Sequence, residues 1–309
     1  MTENIQSEDL LDKIRQTRFL KDETKTEYIR RIEEFCNYLK KDLLYCINHP
    51  HWFVNQVFKY IEDHDFGIHT ADKICSVFLA VFNYNQDFKE RRKDLFDKWI
   101  KETKRIKDLI DKKYEKNEPT ERQAKSYVSY DELVKTRNKM KRGTQERLLL
   151  FMYTEIPPVR NDYHDMRIYK SKPRYNTGNY IVIGKDKANI VLNEFKTDKS
   201  YEKIEIDIPT TLLKEIKESL ESSPRDHLFV STRTNKPHLT ANSFVKWANR
   251  TLKKLFNDNI SLTTLRHIYI SRRDLKLESK SGTERKKIAN VMGHSLEQQQ
   301  KYLWHAWLK

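Results

Sequence analysis

Cysteine is nearly absent from this 309-residue chain, and the three that occur, Cys36, Cys46 and Cys75, form an odd, unpatterned set. A disulfide framework needs pairs, so a reducing, intracellular setting is expected. Cys36 and Cys46 fall near His49 and His51, but their spacing fits no standard zinc finger. Cys36 also lies on the apolar stripe of a helix, so no metal is expected there. Long apolar runs are missing as well: none reaches the roughly 20 residues that cross a bilayer. The N-terminus, MTENIQSEDL, is acidic and lacks the apolar centre of a signal peptide, so no membrane partner is expected. Internal repeats and low-complexity tracts are lacking too. Apolar residues are 37% of the chain, low but enough for real cores, and the length suits two domains of ordinary size.

What the chain has in excess is positive charge. Of a formal +15, residues 1–130 carry +1 and residues 131–309 the remaining +14. Such a surplus favours a polyanionic partner, because each phosphate neutralised by Lys or Arg releases condensed counterions. A solvated lysine-rich surface is the alternative that charge alone leaves open.

The first 115 residues read as helices. Thr24 and Glu27 have capping-box spacing, and Tyr28, Ile32, Phe35 and Leu39 recur every three or four residues on one face. Helices follow over about 51–62, 70–84 and 88–114, the last with Phe96, Trp99, Ile100, Thr103, Ile106 and Ile110 inward. Its other side carries Arg91, Arg92, Lys98, Lys101 and Arg105, suited to a phosphate backbone or simply to water. The polar stretch EKNEPTERQAKSY, with Pro119 and no apolar period, reads as a linker. The second half mixes types. Helices are expected near 130–140 and 143–155, β-runs at 179–183, 189–195 and 202–208, and helices again over 210–220, 240–256, 263–275, 283–292 and 296–304. The expected fold is therefore α+β, mostly α with a small antiparallel sheet: a helical domain over 1–118, a linker over 119–127 and a mixed domain over 128–309.

Four short segments of the basic half hold chemistry: Arg160 in PPVRNDY, Lys196 in NEFKTDKSY, Arg266 in LTTLRHIYIS, and His294 followed by Tyr302 in VMGHSLEQQQKY. Breaking a phosphodiester without metal requires a nucleophile, cationic donors on the non-bridging oxygens and an acid for the leaving oxygen. Arginine offers a planar, permanently charged fork that can hold two phosphate oxygens. Arg266, among Leu265, Ile268 and Tyr269, should be partly buried and in need of a partner. Lysine suits the acid because desolvation near other cations lowers its pKa, although Lys185, Lys187 and Lys199 compete with Lys196 for the part. His294 follows Gly293 at a helix end, where it can donate to a phosphate oxygen or be structural. Tyr302 is a nucleophile if cations or a base favour its phenolate, and otherwise an aromatic packed beside Trp304.

Taken in order, these segments resemble the catalytic boxes of the tyrosine recombinase and integrase family over roughly residues 125–309, with LRHIYIS and MGHS the best matches. The resemblance implies catalytic roles for Arg160, Lys196, Arg266, His294 and Tyr302, and for the N-terminal half a core-binding domain. It further implies a recombinase that cleaves and rejoins double-stranded DNA through a 3′-phosphotyrosyl intermediate and a Holliday junction, with no metal or other cofactor. A homodimer would sit on inverted half-sites and a homotetramer would form the synapse. The PPVRNDY variant is similar to integrases of large DNA viruses, virophages and related mobile elements. Two departures stand out. Thr263 occupies the position three before Arg266 where many members carry histidine or lysine, leaving His267 or His294 to compensate, and His294 and Tyr302 are eight residues apart, one fewer than is common. The seven residues after Tyr302 make a short tail for exchange between subunits. The alternatives are a type IB topoisomerase-like enzyme and a DNA-binding protein on this fold without cleavage activity.

Overall fold

The computed structural model describes residues 6–115, 118–119, 121–175, 178–195, 203–231, 234, 236 and 240–304. The chain divides into two compact units, Met1–Lys116 and Asn117–Lys309, each with its own core.

In the first unit the helices are α1 (Ser7–Gln16), α2 (Asp22–Leu39), α3 (Leu43–Asn48), α4 (Pro50–Asp63), α5 (Ile68–Tyr84), α6 (Gln86–Arg91) and α7 (Lys93–Glu115). The apolar helix α5 is the centre, and Phe35, Phe53, Phe78 and Trp99 meet around it. The Trp99 indole N–H donates to the Ile47 carbonyl at 2.8 Å, so this large ring is buried without an orphaned donor. Four details differ from the sequence reading. Helix α1 was not foreseen, and it is held by Leu10, Leu11 and Ile14 and by Asn85, whose amide donates to the Leu10 carbonyl. Helix α2 starts at Asp22 rather than at a Thr24 cap, with Asp22 and Glu23 favourably placed against the positive end of its dipole. The expected helix 88–114 breaks at Arg92. Ile100, expected inward, is 42% exposed, because it lies about 100° around α7 from the buried Trp99.

The second unit opens with α8 (Glu121–Lys125), a short helix inside the stretch read as a linker. It continues with α9 (Tyr130–Lys139), α10 (Gln145–Thr154), β1 (Arg167–Tyr169), β2 (Tyr180–Ile183), β3 (Ala188–Leu192), β4 (Ile204–Asp207), α11 (Thr210–Ser222) and α12 (Ala241–Leu255). It ends with α13 (Leu262–Ile270), two 3₁₀ turns in place of the rest of the expected 263–275 helix, α14 (Gly282–Val291) and α15 (Leu296–Tyr302). The class is α+β and mostly helical. The described strands form one sheet in the order β1-β2-β3-β4: β2, β3 and β4 are antiparallel, while β1 runs parallel to β2 and makes the sheet mixed. At three residues, β1 is too short to show a period in the sequence.

Helix α10 is buried along its whole length and forms the spine of this unit. Arg147 on α10 makes a bidentate pair with Glu215 of α11, at 2.7 and 2.6 Å, and also donates to the carbonyls of Arg137, Asn138 and Met140 at the end of α9. A buried charge with five such bonds fixes how α9, α10 and α11 meet. Removing one partner of a buried pair strands the other, so Glu215→Leu should cost on the order of 3 kcal/mol in chemical denaturation. Arg147→Met combined with Glu215→Leu should recover only part of that loss, because the α9 carbonyls then lose their donor.

Candidate active site

Three chain segments meet at one end of α10. The first is the loop after it, where Pro157 and Pro158 end the helix and lead into Arg160. The second is α13, opened by a Ser261–Thr264 capping box, with Arg266 just beyond its first turn. The third is the exit of α14, where Gly293 takes a φ of 64° and the Gly293 and His294 amides donate back to Asn290 and Ala289. That left-handed turn favours glycine and sends His294 inward.

Arg266 binds the three together. Only 1% exposed, it donates to the Pro158 carbonyl at 2.7 Å, the Met292 carbonyl at 3.1 Å and His294 Nδ1 at 3.0 Å, while its buried Nε has no partner. Arg160 reaches the same turn from the other segment and donates to the Gly293 carbonyl at 3.0 Å. Its backbone is fixed by Asp162, which accepts its N–H, and by the Tyr153 hydroxyl, which donates to its carbonyl. Burial, and then the neighbouring Arg266 charge, push the Arg160 guanidinium below its ordinary pKa. Burial also raises the Asp162 carboxyl, against the pull of both arginines. Neither Arg160 nor Arg266 forms an ion pair with a carboxylate among the described residues. Two cations held this way make a place for an anion from outside the chain.

Tyr302 ends α15 against this cluster. Its ring stacks on His294 at 5.2 Å and 22°, and the Arg266 guanidinium lies 5.0 Å from its centroid. His267 approaches the same ring at 4.5 Å, stacks on Trp304 at 3.7 Å and holds the Tyr302 carbonyl through Nδ1 at 3.0 Å. The Tyr302 hydroxyl has no hydrogen-bond partner among the described residues. Because Arg266 can only donate, His294 Nδ1 must accept, so its proton sits on Nε2, which is buried and unpartnered. Burial first, then Arg266 and Arg160, push the His294 pKa down to about 3. His267 is pushed to about 3 as well, mainly by burial. Both rings are neutral at physiological pH.

A cleft of about 240 Å³ opens here, lined by Arg160, Arg266 and Tyr302 together with Asn249, Ser261 and Thr263. Thr263 therefore faces the site, whereas His267 and His294 lie behind Tyr302 and outside the cleft lining. Lys196 falls outside the described residues. The amide that ties the end of β3 to the site was missed by the sequence reading: Asn179 donates to the carbonyls of Asp162 and Glu194 and accepts from the amides of Asn193 and Glu194. Nothing in a GNY stretch signals this, because all four bonds depend on segments that meet only in the fold. Asn249 was missed also, although a polar residue next to the inward Ala248 and Leu252 was a weak sign. The expected phosphate contacts of the first unit lie on α6, at its C-cap and on α7. Arg92 donates to Asn48, Lys98 and Arg105 pair with Asp94 and Glu102, Arg91 reaches the Asp87 carbonyl, and Lys101 is exposed. Among the described residues no group of three His, Cys, Asp or Glu is placed to hold a metal, and no helix is long and apolar enough to cross a membrane.

A histidine whose folded pKa is depressed stabilises the fold above its unfolded value of about 6.5, and that contribution is lost as pH falls toward the folded pKa of about 3. Stability measured by denaturant should fall between pH 6.5 and 4, by up to about 1.4 kcal/mol per pH unit for each ring. His267→Phe, which keeps an aromatic on Trp304, should show a shallower acid slope than wild type.

No protein-family model and no curated protein sequence matches the chain. A solved structure of the XerA recombinase aligns with 96% of this chain and 93% of its own, at 12% identity and a TM-score of 0.39.

Proposed function

We propose that this protein is a site-specific DNA recombinase that cleaves with Tyr302 and rejoins the strands through a 3′-phosphotyrosyl intermediate. The observation that carries the reading is the meeting of Arg160, Arg266 and Tyr302, drawn from separate segments, at a cleft where neither guanidinium forms an ion pair among the described residues, with His294 behind Tyr302 against Arg266. A backbone phosphodiester supplies the missing anion. In this reading the guanidiniums of Arg160 and Arg266 hold the non-bridging oxygens and stabilise the charge that grows on the pentacoordinate phosphorus. The Tyr302 phenol passes its proton to solvent water in the cleft as its oxygen bonds to phosphorus, and the bond from phosphorus to the 5′ oxygen breaks. Lys196 gives that leaving oxygen a proton. His294 orients Arg266 through Nδ1 and backs the Tyr302 ring; at neutral pH it does so without carrying charge. The phosphotyrosyl ester conserves the bond energy, so rejoining needs no nucleotide and no metal.

The exposed cations Arg91, Lys98, Lys101 and Arg105, with Arg92, fit a phosphate backbone on the side of the first unit. Inverted half-sites, a dimer on each site, a tetramer in the synapse and a viral or mobile-element origin follow from the sequence resemblance and belong to this proposal.

A nicked suicide substrate tests it. Wild type should form a covalent protein–DNA adduct that survives denaturant and is indifferent to chelator, and Tyr302→Phe should form none. Arg160→Ala and Arg266→Ala should bind DNA yet cleave it at least about a hundredfold more slowly. DNA binding with no adduct from wild type would leave a non-catalytic DNA-binding protein. Relaxation of supercoils by a monomer, without site preference, would point to a topoisomerase.

A further inference from the structure

We infer that Asn249 and the first turn of α13 form a second, uncharged donor set for the reacting phosphate, acting at the place where Thr263 stands. This rests on the proposed reading of the cleft as a phosphodiester site.

The argument begins with the four amides that every helix N-terminus leaves without internal partners. In α13 three are satisfied: Ser261 N–H donates to Thr264 Oγ1 at 3.3 Å, Leu262 N–H to Asn249 Oδ1 at 3.0 Å, and Thr264 N–H to Ser261 Oγ at 3.2 Å. The Thr263 N–H has no partner among the described residues, and neither has the Thr263 hydroxyl. Thr263 is exposed and lines the cleft. One amide at the positive end of the dipole is thus left for a ligand.

Asn249 contributes from α12. Because Leu262 N–H can only donate, the atom facing it must be the amide oxygen, which leaves the Asn249 NH₂ as the free end. That NH₂ has no partner among the described residues, and Asn249 lines the same cleft. An independent observation points to an anion there: Arg266, 1% exposed and lining the cleft, keeps a buried Nε without a partner. Two guanidiniums, a helix amide, a hydroxyl and a carboxamide NH₂ therefore border one cavity. Histidine or lysine at position 263 could both donate and carry a proton. Threonine and asparagine can donate hydrogen bonds but have no proton to give up near neutral pH, so this corner stabilises the oxyanion and leaves proton transfer to other groups.

The test compares wild type with Asn249→Asp, which retains the acceptor for Leu262 N–H but loses both donors, and with Thr263→Val, which keeps shape and charge but loses the hydroxyl. On a phosphodiester suicide substrate, adduct formation should slow about a hundredfold for Asn249→Asp and about tenfold for Thr263→Val, with unchanged melting temperatures. A methylphosphonate at the scissile position removes one non-bridging oxygen. With the diastereomer lacking the oxygen held at this corner, all three proteins should react at similar rates. Equal slowing on the phosphodiester and on both diastereomers, or wild-type rates for both variants, overturns the inference while the recombinase reading stands. Calorimetric titration with inorganic phosphate separates the two ideas. If wild type forms no adduct but binds phosphate more tightly than either variant, the donor corner stands and the recombinase reading fails; equal binding by all three overturns the inference.

Discussion

Two neighbouring guanidiniums, Arg266 buried and Arg160 half-buried, held by carbonyls and not by an ion pair, are the constraint on which the site in the second unit depends. Arg160 and Arg266 are held by carbonyls of the Pro158 loop and of the Met292–Gly293 turn, so the charges are positioned without being neutralised. Elsewhere in the same unit Arg147 pairs with Glu215 and Arg137 with Glu155, whereas Arg225 is held by the carbonyls of Ser219, Ser223 and Leu228. What distinguishes Arg160 and Arg266 is that both border one open cleft.

The rest of the site follows from holding those cations in place. A positive-φ glycine is needed at 293 so that the turn presents its carbonyls to both arginines while His294 folds inward. The histidines answer to the same field: burial and the adjacent guanidiniums keep His294 neutral, which fixes its tautomer through Arg266. His267 anchors the end of α15 by its bond to the Tyr302 carbonyl and its stack on Trp304. Tyr302 is thereby fixed through its backbone carbonyl and through ring contacts with His294, His267 and Arg266, with the hydroxyl left over. Preorganisation of this kind is what electrostatic catalysis demands, since donors that must reorient during reaction lose much of their effect.

Much of the fold was legible because it rests on local signals. The 3.6-residue apolar period marked α2, α4, α5 and α7, and β-branched runs marked β2, β3 and β4. The errors fall where tertiary partners overrule local pattern. Helix α1 is anchored by Asn85 from 75 residues away, β1 exists only as a parallel neighbour of β2, and the helix expected through 275 gives way to 3₁₀ turns after Ile270. At the site, residue types in order were enough to single out Arg160, Arg266, His294 and Tyr302. Asn179 gave no sign and Asn249 only a weak one, because an asparagine's role depends on which partners the fold brings to its amide.

By itself the sequence determined which chemical groups are available: two arginines, a histidine after a glycine, a tyrosine near the end, and a basic excess confined to one half. Those are properties of composition and order, and no folding is needed to read them. Only the tertiary structure decided that the two arginines would be held by carbonyls, that His294 would accept from Arg266 and keep its proton on Nε2, and that Thr263 would face the cleft while His267 lay behind Tyr302. Burial, tautomer and counter-ion are set by neighbours distant in the chain, and no local pattern encodes which neighbours those are.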